Sequence, residues 1–267
     1  QRGNQPMRTP AFKQYIGIDY SGAQTTEDPL PGIRVYTAAT NTPPTEVRNP
    51  GAGRRHWSRT DLAHWLVEHL SNDLPTLVGI DHAFSFPLRY FEVHHLEPVW
   101  DLFLDDFCAH WPTAEKHTYV DFVRHGSCGN GAARSGNTRW RRECEERVGA
   151  KSVFHFDVPG QVAKSTHAGL PWLRFLRQEL GVRLHFWPFD GWDIPCGKHA
   201  IAEIYPSLWS KNHPRQERTP DQHDAYVTAL WLQQCDLNAT LEDFLHPHLN
   251  PYQSAMAQVE GWILGVK

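Results

Sequence analysis

The sequence predicts a mixed α/β domain, with antiparallel hairpin strands first, a long mostly helical insertion in the middle, and strands alternating with helices at the end. Three observations predict it. Two short apolar runs that end in a carboxylate, YIGID at 15–19 and LVGID at 77–81, have the length and composition of buried strands. Segments with apolar residues at helical spacing follow Ser or Thr caps. The composition, 40% hydrophobic and 21% charged over 267 residues, supplies a real core and excludes wholesale disorder.

Residues 1–12 carry Arg2 and Arg8 without the apolar stretch of a secretory signal, and are expected to be a flexible arm or an expression remnant. Residues 13–267 form one domain. Tyr15–Tyr20 is the first strand and Ile33–Ala38 the second. Ser21–Gly32, rich in turn formers, makes the open loop of a hairpin between them. A weaker third strand is expected around Thr45–Arg48, before the Asn49-Pro50-Gly51 break. Ser58 and Asp61 have capping-box spacing, and Leu62, Trp65, Leu66, His69 and Leu70 then repeat as one helical stripe. Leu77–Ile80 is the fourth strand.

An insertion at about 88–182 follows. Val99, Trp100, Leu102, Phe103 and Phe107 are expected to pack, with Asp101, Asp105 and Asp106 on a solvated face. The stretch from Arg124 to Lys151 holds seven basic and three acidic residues and is broken by glycines, as in a surface loop. Pro171 is expected to open a helix. Strands return at Arg183–Phe189 and Ala200–Tyr205. Thr219 as N-cap, Pro220 at the first helical position and Gln222 three residues on mark the start of the last strong helix.

Charge and cysteine content exclude several classes. No apolar run approaches the ~18–20 residues of a membrane helix. Net charge is −4, so there is no basic coat, and nucleic-acid binding would need a local patch. Five scattered cysteines without a C-x-x-C pair argue against a disulfide framework or a zinc ribbon and for a reducing cytoplasm. The 17 His and 11 Trp read as packing, and suffice for a homodimer face that the sequence does not locate.

Asp19 and Asp81 end two strands, while Asp221 and Asp224 share one face of the last helix's first turn. Carboxylates at neighbouring strand ends, joined by that helix, form an oxygen site suited to Mg²⁺ or Mn²⁺. Two such ions about 3.5–4 Å apart activate water and stabilise a leaving oxygen in phosphodiester cleavage. Without metal the carboxylates repel, and some protonate. Each also has an ordinary reading, as a turn, a cap or a dipole partner.

GIDYSGA at 17–23, GIDHAFSFP at 79–87, AEIYPSLW at 202–209, DQHDAYVTALW at 221–231 and EGWILG at 260–265 together resemble the domain-of-unknown-function family numbered 429. RWRRECEERVG at 139–149 and GLPWLRFL at 169–176 resemble further blocks of it. That family is described as ribonuclease H-like and as predicted nucleases. More remotely, the chain is similar to Holliday-junction resolvases of the RuvC type. The resemblance implies a ribonuclease H-like mixed sheet with catalytic, metal-holding Asp19, Asp81, Asp221 and Asp224. Glu203, in the E-[IV]-Y-P block, has no counterpart in the resolvase pattern and is expected as a supporting or alternate catalytic carboxylate.

Charge adds substrate-binding candidates. Arg134, Arg139, Arg141 and Arg142 are placed to neutralise phosphates and Trp140 to stack on a base. The competing expectation is a solvated helix with Arg139, Arg142 and Arg147 paired to Glu143, Glu145 and Glu146. Ser21 and Lys164 are further phosphate candidates. His82 and His223 are read either as proton-transfer aids or as polar packing. The expected function is a metal-dependent nuclease acting on DNA or RNA. The alternatives are a non-catalytic nucleic-acid or protein-binding adaptor and, below it, an actin-like phosphotransferase, for which no second glycine-rich phosphate loop is apparent.

Overall fold

The structure, a computed structural model, describes residues 9–51, 53–157 and 162–267. It contains β1 (Gln14–Asp19), β2 (Arg34–Ala39), β3 (Thr42–Glu46), α1 (Arg59–His69), β4 (Thr76–Asp81), α2 (Leu88–Val93), α3 (Trp100–His110) and α4 (Val120–Arg124). There follow α5 (Glu143–Val148), α6 (Val162–Leu180), β5 (Leu184–Phe186), β6 (His199–Glu203), α7 (Pro220–Leu237), α8 (Leu241–Leu245) and α9 (Pro251–Glu260). The strands form one six-stranded sheet in the order β3-β2-β1-β4-β6-β5. The first three are antiparallel and the remainder parallel. This is the ribonuclease H-like mixed sheet flanked by helices that the sequence predicts.

Alternation along the strands builds two cores. Ile16, Ile18, Val78, Ile80 and Ile201 face one way and share a core with Leu62 and Leu66 of α1 and Leu173 and Leu176 of α6. Tyr15, Leu77, Ala200 and Ala202 face the other way, toward Leu232 of α7 and the C-terminal Trp262 and Leu264. The insertion is no separate body: its Phe103, Phe107 and Phe154 join the first core through Phe86. All five cysteines are free. Among the described residues no helix is long and apolar enough to cross a membrane.

Several expectations need correction. Residues 1–8 of the expected arm lie outside the described residues, but its last two residues are fixed, not flexible. Asp236 accepts the Ala11 and Phe12 amides at 2.9 and 2.8 Å, and Phe12 is buried. The third strand begins earlier, at Thr42, and includes Pro43 and Pro44. Among the described residues it pairs only with β2, and an edge strand tolerates residues that lack an amide donor. Val99 and Leu102 are exposed rather than packed. Asp101 and Asp105 lie on a solvated face as expected and pair there with Arg177 and Arg174, while Asp106 is half-buried against Arg134.

Pro171 does not start a helix but sits inside α6. Proline there removes the hydrogen bond owed to the His167 carbonyl, four residues back. The Thr113 hydroxyl donates to that carbonyl at 2.6 Å, so the helix continues. Both predicted caps are present: the Asp61 amide donates to Ser58 Oγ at 3.0 Å, and Thr219 and Gln222 cap each other reciprocally.

Candidate metal centre

The parallel register sets Asp19 opposite Asp81 at the C-terminal ends of β1 and β4. The capping box of α7 fixes its first turn against the same sheet edge, and carboxylate oxygens of Asp19, Asp81 and Asp224 all lie within 4.8 Å of one another. Asp19 is buried, while Asp81 and Asp224 are half-buried at the base of a cleft of about 560 Å³. Asp221 lines the same cleft and is near enough to Asp19 to raise its carboxyl.

Burial, then repulsion from Asp81, Asp221 and Asp224, holds the Asp19 carboxyl well above the ordinary range. Burial, then Asp224 and Glu203, pushes Asp81 up to about 8. Asp224 is also raised, by burial and by Asp221 against an opposing contribution from His223. Among the described residues none of these four carboxylates forms an ion pair with Lys or Arg. Two nearby cations are engaged elsewhere: Arg142 with Glu145 and Glu203, Lys164 with Asp121. A convergent set of hard oxygen donors with uncompensated charge fits Mg²⁺ or Mn²⁺.

The other candidates divide. Ser21 and Lys164 line the cleft, Lys164 from the first turn of α6 and paired to Asp121 at 2.8 Å. Glu203 lines it too, but both its oxygens are taken by Arg142, at 2.7 and 2.6 Å. Arg142 is 1% exposed and unable to reach a substrate phosphate, contrary to expectation. Arg134 is bound bidentately by Asp106, and Arg139 is exposed away from the cleft lining. Trp140 packs its edge on Phe154 instead of standing free to stack. The paired-helix expectation is met in part: Arg147 pairs with Glu143 at the surface, the Arg142–Glu145 pair is buried rather than solvated, and among the described residues Arg139 forms no ion pair.

His82 is polar packing. It is buried, with Nδ1 at 2.8 Å from the Ala83 carbonyl, and burial lowers its imidazole to about 4. Gly169 is seated on its ring, where a Cβ would meet Nε2 at 2.4 Å. His223 is held between the Ser210 carbonyl and Arg218.

Sequence reasoning passed over Arg59, Lys151, Tyr205 and Ser207. The last three line the cleft. Arg59 is buried behind it and donates to the Ser21, Ala23 and Gln24 carbonyls at 3.0, 2.8 and 2.8 Å, fixing the loop after β1. One signal was available for Arg59: a cation in the first turn of a helix opposes the dipole and calls for a partner outside the helix. In comparisons with known proteins, no family model, curated protein or solved structure matches the chain.

Proposed function

We propose that the chain is a Mg²⁺- or Mn²⁺-dependent phosphodiester hydrolase acting on nucleic acid, as the resemblance to ribonuclease H-like nucleases implies. The observation that carries this reading is the meeting of Asp19, Asp81 and Asp224 oxygens within 4.8 Å, with no Lys or Arg ion-pair partner among the described residues, in the lining of a cleft. Asp19, Asp81 and Asp224 would hold the cation, with Asp221 beside them. A divalent cation bound there supplies Lewis-acid activation of water and charge neutralisation at the leaving oxygen.

The chain's own residues would do the rest. Arg59 keeps the Ser21–Gln24 loop in place at the cleft wall. Ser21, Lys151 and Lys164 give that wall donors for a phosphate, which would relieve the acidity of the floor. A cytoplasmic setting agrees with five free thiols.

The test is calorimetric titration of Mg²⁺ and Mn²⁺ into wild type and Asp19→Asn, followed by cleavage assays on single- and double-stranded DNA and RNA. Binding and cleavage in wild type, both lost in Asp19→Asn, are expected. Cation-independent cleavage, or cleavage retained by Asp19→Asn, overturns the reading.

A further inference from the structure

The insertion sends one buried cation under the cleft. Arg142, the N-cap of α5, places both terminal nitrogens on the two oxygens of Glu203. Its Nε and backbone amide donate to the two Glu145 oxygens at 2.9 Å each, and Nη1 also reaches the Glu260 carbonyl at 3.2 Å. Glu260 in turn accepts the amides of Leu88 and Glu143 at 2.5 and 3.2 Å. The guanidinium is therefore fixed from several chain segments, and Glu203 is the group it immobilises.

Apart from Arg142, among the described residues the Glu203 carboxylate accepts only the Phe84 amide, at 3.4 Å. Glu203 pairs in register one residue short of Asp81's position, since Ile80 is the partner of Glu203 across β4 and β6, and it lines the same cleft. A planar guanidinium binds both carboxylate oxygens at once, which a lysine ammonium does not. We propose that Arg142 is a positioning residue that withholds Glu203 from the cation site, leaving Asp19, Asp81 and Asp224 to hold the cation. This rests on the cation reading given above.

The experiment is Mn²⁺ calorimetry on the full chain, each variant checked for its melting transition. Glu203→Gln is expected to bind Mn²⁺ within about 3-fold of wild type, whereas removing a ligand costs 10-fold or more. Arg142→Gln is expected to bind roughly 10-fold more tightly, because a released carboxylate adds a charged ligand. The double variant Arg142→Gln with Glu203→Gln should return to wild-type affinity, and Arg142→Lys should fall between wild type and Arg142→Gln. A purely structural role would lower melting temperature without a gain in affinity that depends on Glu203.

If Glu203→Gln loses Mn²⁺ as Asp19→Asn does, Glu203 is a ligand and the proposal fails while the cation site stands. A folded Arg142→Gln with wild-type affinity also overturns it. Should Arg142→Gln not fold, Glu203→Gln and Arg142→Lys decide by the same criteria. Absence of Mn²⁺ binding in wild type overturns both readings.

Discussion

Gly17 and Gly79 are register partners on neighbouring parallel strands, each two residues before a site carboxylate, and α7 is seated directly on them. A Cβ on Gly17 would come within 2.3 Å of the Ala225 carbonyl and 2.6 Å of the Ala229 amide. On Gly79 the obstacles are the side-chain methyls of Ile204 and Thr228, at 2.9 and 3.0 Å, and Leu232 at 3.2 Å. The bare strands let the helix approach closely enough for Asp224 to meet Asp19 and Asp81.

The two glycines should therefore respond unequally to alanine. In Gly17→Ala the obstacle is backbone, so α7 must lift from the sheet, at a cost of about 3 kcal/mol or more. In Gly79→Ala the obstacles are side-chain methyls, which yield more readily than backbone, at a cost of roughly 1–2 kcal/mol. Urea unfolding should separate the two, and Mn²⁺ binding should be lost in Gly17→Ala and kept in Gly79→Ala. Equal effects would show that the approach of α7 is not set by Gly17.

Legibility in the sequence followed how local the cause was. The strand ends at Asp19 and Asp81, the Ser58 cap and the Thr219 capping box depend on neighbours within a few residues, and all were readable. The path of α6 through Pro171 was not, because the compensating donor, Thr113, comes from a distant segment. The same limit hid Arg142. Nothing in RWRREC distinguishes it from Arg139 and Arg141. Its role depends on Glu203, sixty-one positions away in the chain, and on the C-terminal segment that closes over both.

The raised carboxyls fix the pH dependence of stability in the absence of divalent cations. Asp81 keeps its proton up to about pH 8 in the folded chain, whereas an unfolded Asp releases it near 3.9. Between those values the native state binds more protons than the unfolded state, so stability falls as pH rises from about 4 to 8 and is greatest on the acid side of this contribution. Asp19 acts in the same direction. Urea midpoints across this range, with chelator present, should decline in wild type and decline less in Asp81→Asn. A wild-type midpoint that climbs with no difference from Asp81→Asn would contradict the clustered-carboxylate arrangement.

Cation affinity should move the opposite way with pH. The raised Asp19 and Asp81 carboxyls retain protons, which must leave for their oxygens to act as ligands. Mn²⁺ binding should release protons and tighten from pH 6 to 8, approaching about 10-fold per pH unit where one proton is displaced. Calorimetry in two buffers of different ionisation enthalpy counts those protons, and a count of zero at pH 6.5 would argue against protonated native carboxyls.

Arg59 holds the loop after β1 by three hydrogen bonds to carbonyls and is 1% exposed. Hydrogen bonds from a charged donor contribute about 1.5–3 kcal/mol each and are not additive, so Arg59→Met should destabilise the chain by roughly 3 kcal/mol. Cleavage should fall further than Mn²⁺ affinity, because Ser21 loses its placement while the triad keeps its scaffold. The check is a comparison of the calorimetric affinity with cleavage rates at saturating Mn²⁺, and an equal loss in both would show that the loop serves the cation site itself.

Asp19→Asn should reverse its rank with wild type when cation is added. With chelator, replacing a buried carboxyl that has to keep its proton beside three other acids removes an unfavourable contribution of order 1 kcal/mol, raising the melting temperature by roughly 2–4 °C. At a cation concentration 100 times its dissociation constant, a binding-competent chain gains about 2.7 kcal/mol, or roughly 5–10 °C. Wild type should then melt above Asp19→Asn, having melted below it before. Such a crossing separates a ligand from a residue that merely packs, since loss of packing lowers the melting temperature under both conditions. Asp221→Asn and Asp224→Asn tested in the same way would rank the two helix acids, with Asp224 expected to cross fully because its oxygen is one of the converging three.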